Sequence, residues 1–266
     1  MYDHVVNLST DRLNQEAPLG DAAWGPSCPF EIERPVMDHR WCNLTFLHWR
    51  YPNEVVQRLL PPGLVVESFD GWAWVGLVPF EMAVTLPGRG DVPWLSRFPE
   101  TNVRTYVRAA DGSTGVWFLS LDAARLPAVL TARTSYRLPY YWSRMSVRSR
   151  PLHVDYTTRR RWPGPRGASS RVGIDIGAPY GPDELTGFDH WLTARFRLYS
   201  ARRIGVRTAR AEHGPWPLHR ATVTQLDDEL VSASGLPAPT GDPYAHWSPG
   251  VDVRVGLPEL LATDRG

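Results

Sequence analysis

A chain of 266 residues, 42% hydrophobic and 21% charged, carries enough apolar side chains to bury one sizeable core, which excludes a disordered chain. Its formal net charge of +1 excludes a field able to hold a nucleic-acid backbone or an anionic membrane surface by charge alone. Cys28 and Cys42 are too few for a disulfide framework, and their spacing fits neither a redox pair nor a zinc site; a cytoplasmic location is expected. Asp3, Asp11, Arg12, Glu16 and Asp21 interrupt the first thirty residues, so no signal peptide is expected, and no later stretch reaches the roughly twenty apolar residues of a membrane span.

In chain order, residues 1–36 show weak periodicity and end in the Pro-rich run Pro26 to Pro35, which reads as an N-terminal extension. A single domain over 37–262 is expected to follow. Asn53 is placed to cap a helix over Glu54 to Leu60 that Pro61-Pro62-Gly63 stops. A second helix should start after Pro182-Asp183-Glu184 and carry Leu185, Phe188, Trp191 and Leu192 on one face.

Strands are expected at Trp72–Phe80, Asn102–Arg108, Gly115–Leu121, Met145–Arg150 and Leu152–Arg159, then at Val172–Ile176, Phe196–Ser200, Ile204–Ala209, Ala221–Leu226 and Val251–Val255. Asp111-Gly112 reads as the hairpin turn between the second and third of these. Many short strands with few helices predict a mainly β (α+β) fold built on a closed or strongly curved antiparallel sheet. The patch Arg159-Arg160-Arg161 reads as a solvated strand end.

The stretch Phe98 to Arg108 carries the clearest chemical pattern. In an extended strand side chains alternate faces, so Glu100, Asn102, Arg104 and Tyr106 share one face, and Thr101, Val103, Thr105 and Val107 the other. A polar face can look to solvent or into a cavity. The indoles of Trp72, Trp74 and Trp117 on neighbouring strands favour a cavity with apolar walls and a few convergent polar groups. There Glu100 suits a general acid or base, and Arg104 suits a substrate carboxylate or a neutralising pair with Glu100.

Tyr140 and Tyr141 follow Pro139, and phenols there can hold an oxyanion or simply pack. His48 closes the alternating run Leu44-Thr45-Phe46-Leu47, and is a candidate to touch substrate. His213 and His219 give only weak support for a metal, and no metal or cofactor is expected. No GxSxG elbow, P-loop or GxGxxG turn is present. All 29 basic residues are arginine, so Schiff-base chemistry on a lysine is excluded.

The runs Trp41 to Trp49, Leu60-Pro61-Pro62-Gly63-Leu64, Asp70 to Gly76, Phe98 to Val107, Gly115 to Asp122, Leu138-Pro139-Tyr140-Tyr141 and His213-Gly214-Pro215-Trp216 together resemble the YqjF-like family of bacterial proteins. That family is grouped with the acetoacetate decarboxylase-like superfamily, and the resemblance implies a β-barrel or cone with a central cavity, a few flanking helices and a homodimer. It also implies that Tyr140 and Tyr141 stand where the decarboxylase has two adjacent lysines, and that Glu100 matches its essential cavity glutamate.

These features point to an enzyme of small organic molecules, of lyase, dehydratase, isomerase or cyclase type, that works without a lysine. Glu100, Arg104 and Tyr141 are the candidate catalytic residues, and Asn102, Tyr106, His48, Trp74, Trp117 and Tyr140 the candidate substrate contacts. A non-catalytic protein that binds an apolar or carboxylate metabolite uses the same residue types, and a structural role follows if the Glu100 face covers a partner subunit.

Overall fold

The computed structural model describes residues 25–86, 90–91, 97–126, 129, 138–181, 183–202 and 205–261. The first half comprises β1 (Met37–Tyr51), α1 (Asn53–Gln57), β2 (Leu64–Val66), β3 (Ala73–Leu86), β4 (Gly90–Asp91), β5 (Arg97–Ala109) and β6 (Thr114–Ala123). The second comprises β7 (Tyr140–Arg150), β8 (His153–Trp162), β9 (Ser169–Pro179), α2 (Gly187–Thr193) and β10 (Arg197–Arg202). It ends with β11 (Gly205–His213), β12 (His219–Asp228), α3 (Leu230–Ala233), β13 (Tyr244–Val255) and β14 (Glu259–Leu260).

The fold is mainly β, and its strands close on themselves. Following hydrogen-bonded neighbours, β6-β7-β8-β9-β12-β13-β1-β3-β5 returns to β6 as a closed nine-strand barrel. A second circuit, β13-β1-β3-β5-β6-β10-β11, also closes. The two share the sheet β13-β1-β3-β5-β6, which is therefore covered on both faces. This explains why β5 buries both of its faces: Glu100, Asn102, Arg104 and Tyr106 are buried, and so are Thr101, Val103, Thr105 and Val107. On the Val103 side an apolar core packs Leu47, Leu77, Val154, Tyr156 and Ile174. On the Glu100 side Phe46, Phe80, Leu121 and Trp216 pack together.

Bulges decide which side chains join which face. Between Cys42 and Leu47, β1 holds one residue more than β3 does between Glu81 and Leu77, and Asn43 takes a left-handed φ of 46°. The extra residue reverses the parity, so odd-numbered Trp41 stacks with Trp216 at 6.1 Å, on the side of even-numbered Phe46. In β6 the register slips by one between Ser120, opposite Val103, and Phe118, opposite Arg104. Phe118 and Leu121 thereby both reach the Glu100 side.

Several sequence expectations shift. Two ladders are parallel, β10 with β6 and β6 with β7, because the chain reaches these edges by crossovers rather than hairpins. The first helix spans only five residues, and Asn53 lies inside it: Pro52 occupies the N-cap and no side chain caps the turn. The second is capped by Thr186, whose hydroxyl and backbone N–H exchange bonds with Asp189 in a capping box; Asp183 and Glu184 lie outside it. The long strand β1 joins the expected strands, and the expected start at Ile204 lies outside the described residues. The Asp111-Gly112 turn connects β5 to β6 with Gly112 at φ 78°. Arg160 departs from the solvated reading of its patch. It is buried and bonds Asp122 through Nε at 3.0 Å and Nη2 at 2.6 Å, while Arg159 and Arg161 are exposed. Among the described residues no helix is long and apolar enough to cross a membrane.

Candidate functional site

Unbroken pairing of β5 with β3, from Ala83–Arg97 to Val75–Thr105, keeps Glu100, Asn102, Arg104 and Tyr106 in one row beside Phe80, Val78 and Gly76. His48 joins the row from β1, opposite Gly76. Glycine is required there, since a Cβ on Gly76 would lie 2.9 Å from His48 Nε2. Trp74 projects to the same side and packs on Phe188 of α2 at 4.8 Å, whereas Trp72 lies at the rim, 39% exposed.

Two neighbouring expectations separate by the same stereochemistry. Tyr140 pairs with Leu121 and donates its hydroxyl to Glu100 Oε2 at 3.1 Å. Tyr141 pairs with Asp122 and faces the opposite side, where the Arg160 guanidinium lies 3.6 Å from its ring centroid. Its expected place beside Glu100 is therefore corrected, since consecutive strand residues cannot share a face. Trp117 likewise pairs with Thr105 and leaves the Glu100 side. It lines a cleft of about 430 Å³ with Phe118, Leu138, Pro139, Ser200 and Ser234. The cleft opens where β6 exchanges β10, paired at Val116 and Trp117, for β7, paired from Leu121 onward.

Glu100 is 1% exposed, and its environment favours the neutral acid. Burial, opposed by the Tyr140 hydrogen bond and reinforced by the charge of Asp122, pushes its carboxyl up to about 8. Arg104 is not its partner, which removes the self-neutralising pair from consideration. Four residues along a strand span roughly 13 Å, and the Arg104 guanidinium turns toward Phe46 and Tyr106, 5.2 Å and 5.7 Å from their ring centroids. It donates from Nη2 to the carbonyl of Leu192 at 3.2 Å and to the Tyr106 hydroxyl at 3.4 Å.

No carboxylate pairs with Arg104 among the described residues, and its Nε is buried without a hydrogen-bond partner. A buried guanidinium without a counter-ion is costly, and an anionic ligand offsets that cost.

Tyr106 donates its hydroxyl proton to the Leu192 carbonyl at 2.6 Å, so His48 Nε2, 2.6 Å from the same oxygen, carries the hydrogen of the imidazole. His48 Nδ1 then holds a lone pair with no partner in the protein. Burial, together with the charge of Arg104, holds His48 well below its ordinary range, so it is neutral. Asn102 Oδ1 and His213 Nε2 are also buried and unpartnered.

Helix α2 covers this face. Its last carbonyls, at the negative end of the peptide dipoles, accept from Arg104, from Arg195 Nε at 2.6 Å and from Trp216 Nε1 at 2.9 Å. Arg195 pairs with the buried Glu67. The sequence reading missed this helix's part in the site, together with His246, Asp189, Arg195 and Trp216. Alternation in Tyr244-Ala245-His246 was the available signal for His246; Asp189, read locally, looks only like a first-turn acid. Among the described residues no cluster of three or more His, Cys, Asp or Glu is arranged to hold a metal.

The chain belongs to the family DUF2071, described as "Uncharacterized conserved protein (COG2071)", whose model matches residues 38–252. It is 33% identical over 220 residues to the protein YqjF of Bacillus subtilis, covering 82% of this chain and 89% of that one. Its fold is similar to that of acetoacetate decarboxylase from Legionella pneumophila, with a TM-score of 0.60 at 11% identity over 95% of this chain and 99% of the other. An acetoacetate decarboxylase-like enzyme from Sphingomonas wittichii also gives a TM-score of 0.60, at 12% identity over 89% and 97% of the two chains. The enduracididine biosynthesis enzyme MppR, solved with pyruvate, gives 0.57 at 14% identity over 93% and 99%.

Proposed function

From the fold the chain shares with those enzymes and the groups gathered on this face, we propose that the chain is an enzyme acting on a small molecule that bears a carboxylate at one end and a carbonyl at the other. Arg104 holds the carboxylate, and Glu100, in its neutral form, gives a proton to the reacting end. Asn102 lies between them in the row. The observation that carries this reading is that a buried guanidinium without a counter-ion and a buried protonated carboxyl share one covered face. MppR, which shares the fold, is named as complexed with pyruvate, a shorter acid that carries both groups. Since no lysine is present, the chemistry runs by proton transfer and charge stabilisation rather than through an imine. Lyase, dehydratase, isomerase or cyclase reactions all suit such a set, and the cleft beside Phe118 and Pro139 is the proposed approach.

Titration calorimetry with oxo acids of increasing length, pyruvate, 4-oxopentanoate and 8-oxononanoate, tests the proposal. Arg104→Met should weaken binding by about tenfold to 150-fold, the loss of a charge-assisted hydrogen-bonded contact. Binding left unchanged by that substitution rejects the role of Arg104. A protein that only binds such an acid would use Arg104 in the same way. Turnover abolished in Glu100→Gln with affinity retained separates the enzyme from the binder.

A further inference from the structure

We infer that Asp189 and His246 form a dyad in which His246 Nδ1 is the atom that takes a proton from the substrate, with Asp189 as its positioning residue. The inference rests on the reading above, and supplies the base that a Glu100 acid requires. His246 lies on β13 opposite Phe46 in register, on the covered face that also carries His48, Tyr106 and Arg104. It is fully buried. Its Nε2 is 2.9 Å from Asp189 Oδ1.

The tautomer follows from the carboxylate. Burial works to raise Asp189, but the bonds from His246, from the hydroxyl and backbone N–H of Thr186 and from Tyr244 hold it well below the ordinary carboxylate range. The Thr186 bonds are both 2.7 Å and that from Tyr244 is 2.7 Å. An ionised carboxylate only accepts, so His246 Nε2 donates to it and proton exchange is left to Nδ1. That atom is buried and has no partner in the protein. Leaving a buried ring nitrogen unmatched costs about 1–3 kcal/mol, which a purely structural histidine avoids by bonding through both nitrogens.

His48 offers the useful contrast. Its Nδ1 is also free, but its Nε2 faces a phenol rather than a carboxylate, so nothing beside it stabilises an imidazolium. Asp189 is the carboxylate that His48 lacks, and the capping box that fixes Asp189 also fixes the imidazole plane of His246.

The step balances as an enolisation. A C–H bond next to the substrate carbonyl breaks and its proton bonds to His246 Nδ1. The freed electron pair forms the C=C bond, and the carbonyl π pair moves to oxygen. That oxygen takes the proton of Glu100, which becomes a carboxylate hydrogen-bonded by Tyr140. Reversal after exchange of the His246 proton with solvent returns deuterium to carbon in D₂O.

Two measurements on the full chain test the dyad. In ¹⁵N spectra of the histidine side chains, the neutral form of His246 should carry its hydrogen on Nε2; a hydrogen on Nδ1 overturns the inference. In D₂O the wild-type protein should exchange the C–H protons next to the carbonyl of at least one of the same three oxo acids, followed by proton NMR. His246→Asn should slow that exchange at least about 100-fold, and Asp189→Asn should slow it while altering the His246 ring-nitrogen signals. Exchange that persists in His246→Asn overturns the dyad and leaves the Glu100 reading standing. No exchange by the wild type on any of the three probes overturns both.

Discussion

Tyr140 and Tyr141 are consecutive, yet their rings lie on opposite faces of one sheet. The first donates its hydroxyl to Glu100 at 3.1 Å, and the second lies under the Arg160 guanidinium at 3.6 Å. One phenol is thus tied to the candidate acid and the other to a buried ion pair. Tyr140→Phe leaves a buried carboxyl short of a donor, and should cost about 1–3 kcal/mol. Tyr141→Phe keeps the ring over Arg160 and should stay within about 0.5 kcal/mol of wild type. Urea midpoints of the two variants check this; equal losses count against the assignment.

Glu100 should make the protein less stable as pH rises. The native state keeps this proton up to about 8, because burial disfavours the charge, while the unfolded chain releases it near the ordinary carboxylate value of 4.5. Between those values the unfolded state binds fewer protons, so stability falls with rising pH by up to about 1.4 kcal/mol per pH unit. Glu100→Gln has no such proton to lose. Its melting temperature should therefore gain on wild type between pH 5 and pH 8, and a difference independent of pH contradicts a buried neutral acid.

The Asp122–Arg160 pair is fully buried on the face opposite Glu100, with Ser143 donating to Asp122 at 2.6 Å. Arg160→Met leaves an unpaired buried carboxylate, and should cost about 3–5 kcal/mol in chemical denaturation. A loss below about 1 kcal/mol would show that the carboxylate is solvated or protonated instead.

Gly76→Ala should disturb the site without touching its chemistry. The added methyl meets His48 Nε2 at 2.9 Å and must push the imidazole off the Tyr106 hydroxyl. Overpacking of this kind costs about 1–3 kcal/mol. The His48 ring-nitrogen signals should shift along with the stability; unmoved signals would place the imidazole elsewhere.

Borohydride reduction in the presence of pyruvate should leave no adduct on any side chain, since every basic residue other than histidine is arginine. Peptide mapping by mass spectrometry reads this and sets apart any adduct on the terminal α-amine. A reduced adduct on a residue inside the barrel refutes the lysine-free mechanism.

Much of the site's central strand was legible locally. The alternation of Glu100, Asn102, Arg104 and Tyr106 needs only extended backbone, and β5 keeps it along its whole pairing with β3. The Asp111-Gly112 turn was legible for the same reason: it depends on the φ of Gly112 and not on distant packing. The parity of Trp41, by contrast, depends on a bulge at Asn43, which no period-two pattern registers. The choice of Tyr140 over Tyr141 depends on which β6 residue each one faces, and β7 reaches β6 by a crossover.

The sequence by itself determined that Schiff-base chemistry on a lysine is excluded, that the chain folds mainly as strands, and that four polar side chains share a strand face, because composition and backbone alternation are local properties. Only the tertiary structure decided that this face is covered, that Glu100 and Arg104 do not neutralise each other, and that Asp189 meets His246 across 57 residues. Those outcomes come from closure of the sheet and the placement of α2 upon it. Both are long-range matters of desolvation and register, and a linear pattern carries no term for either.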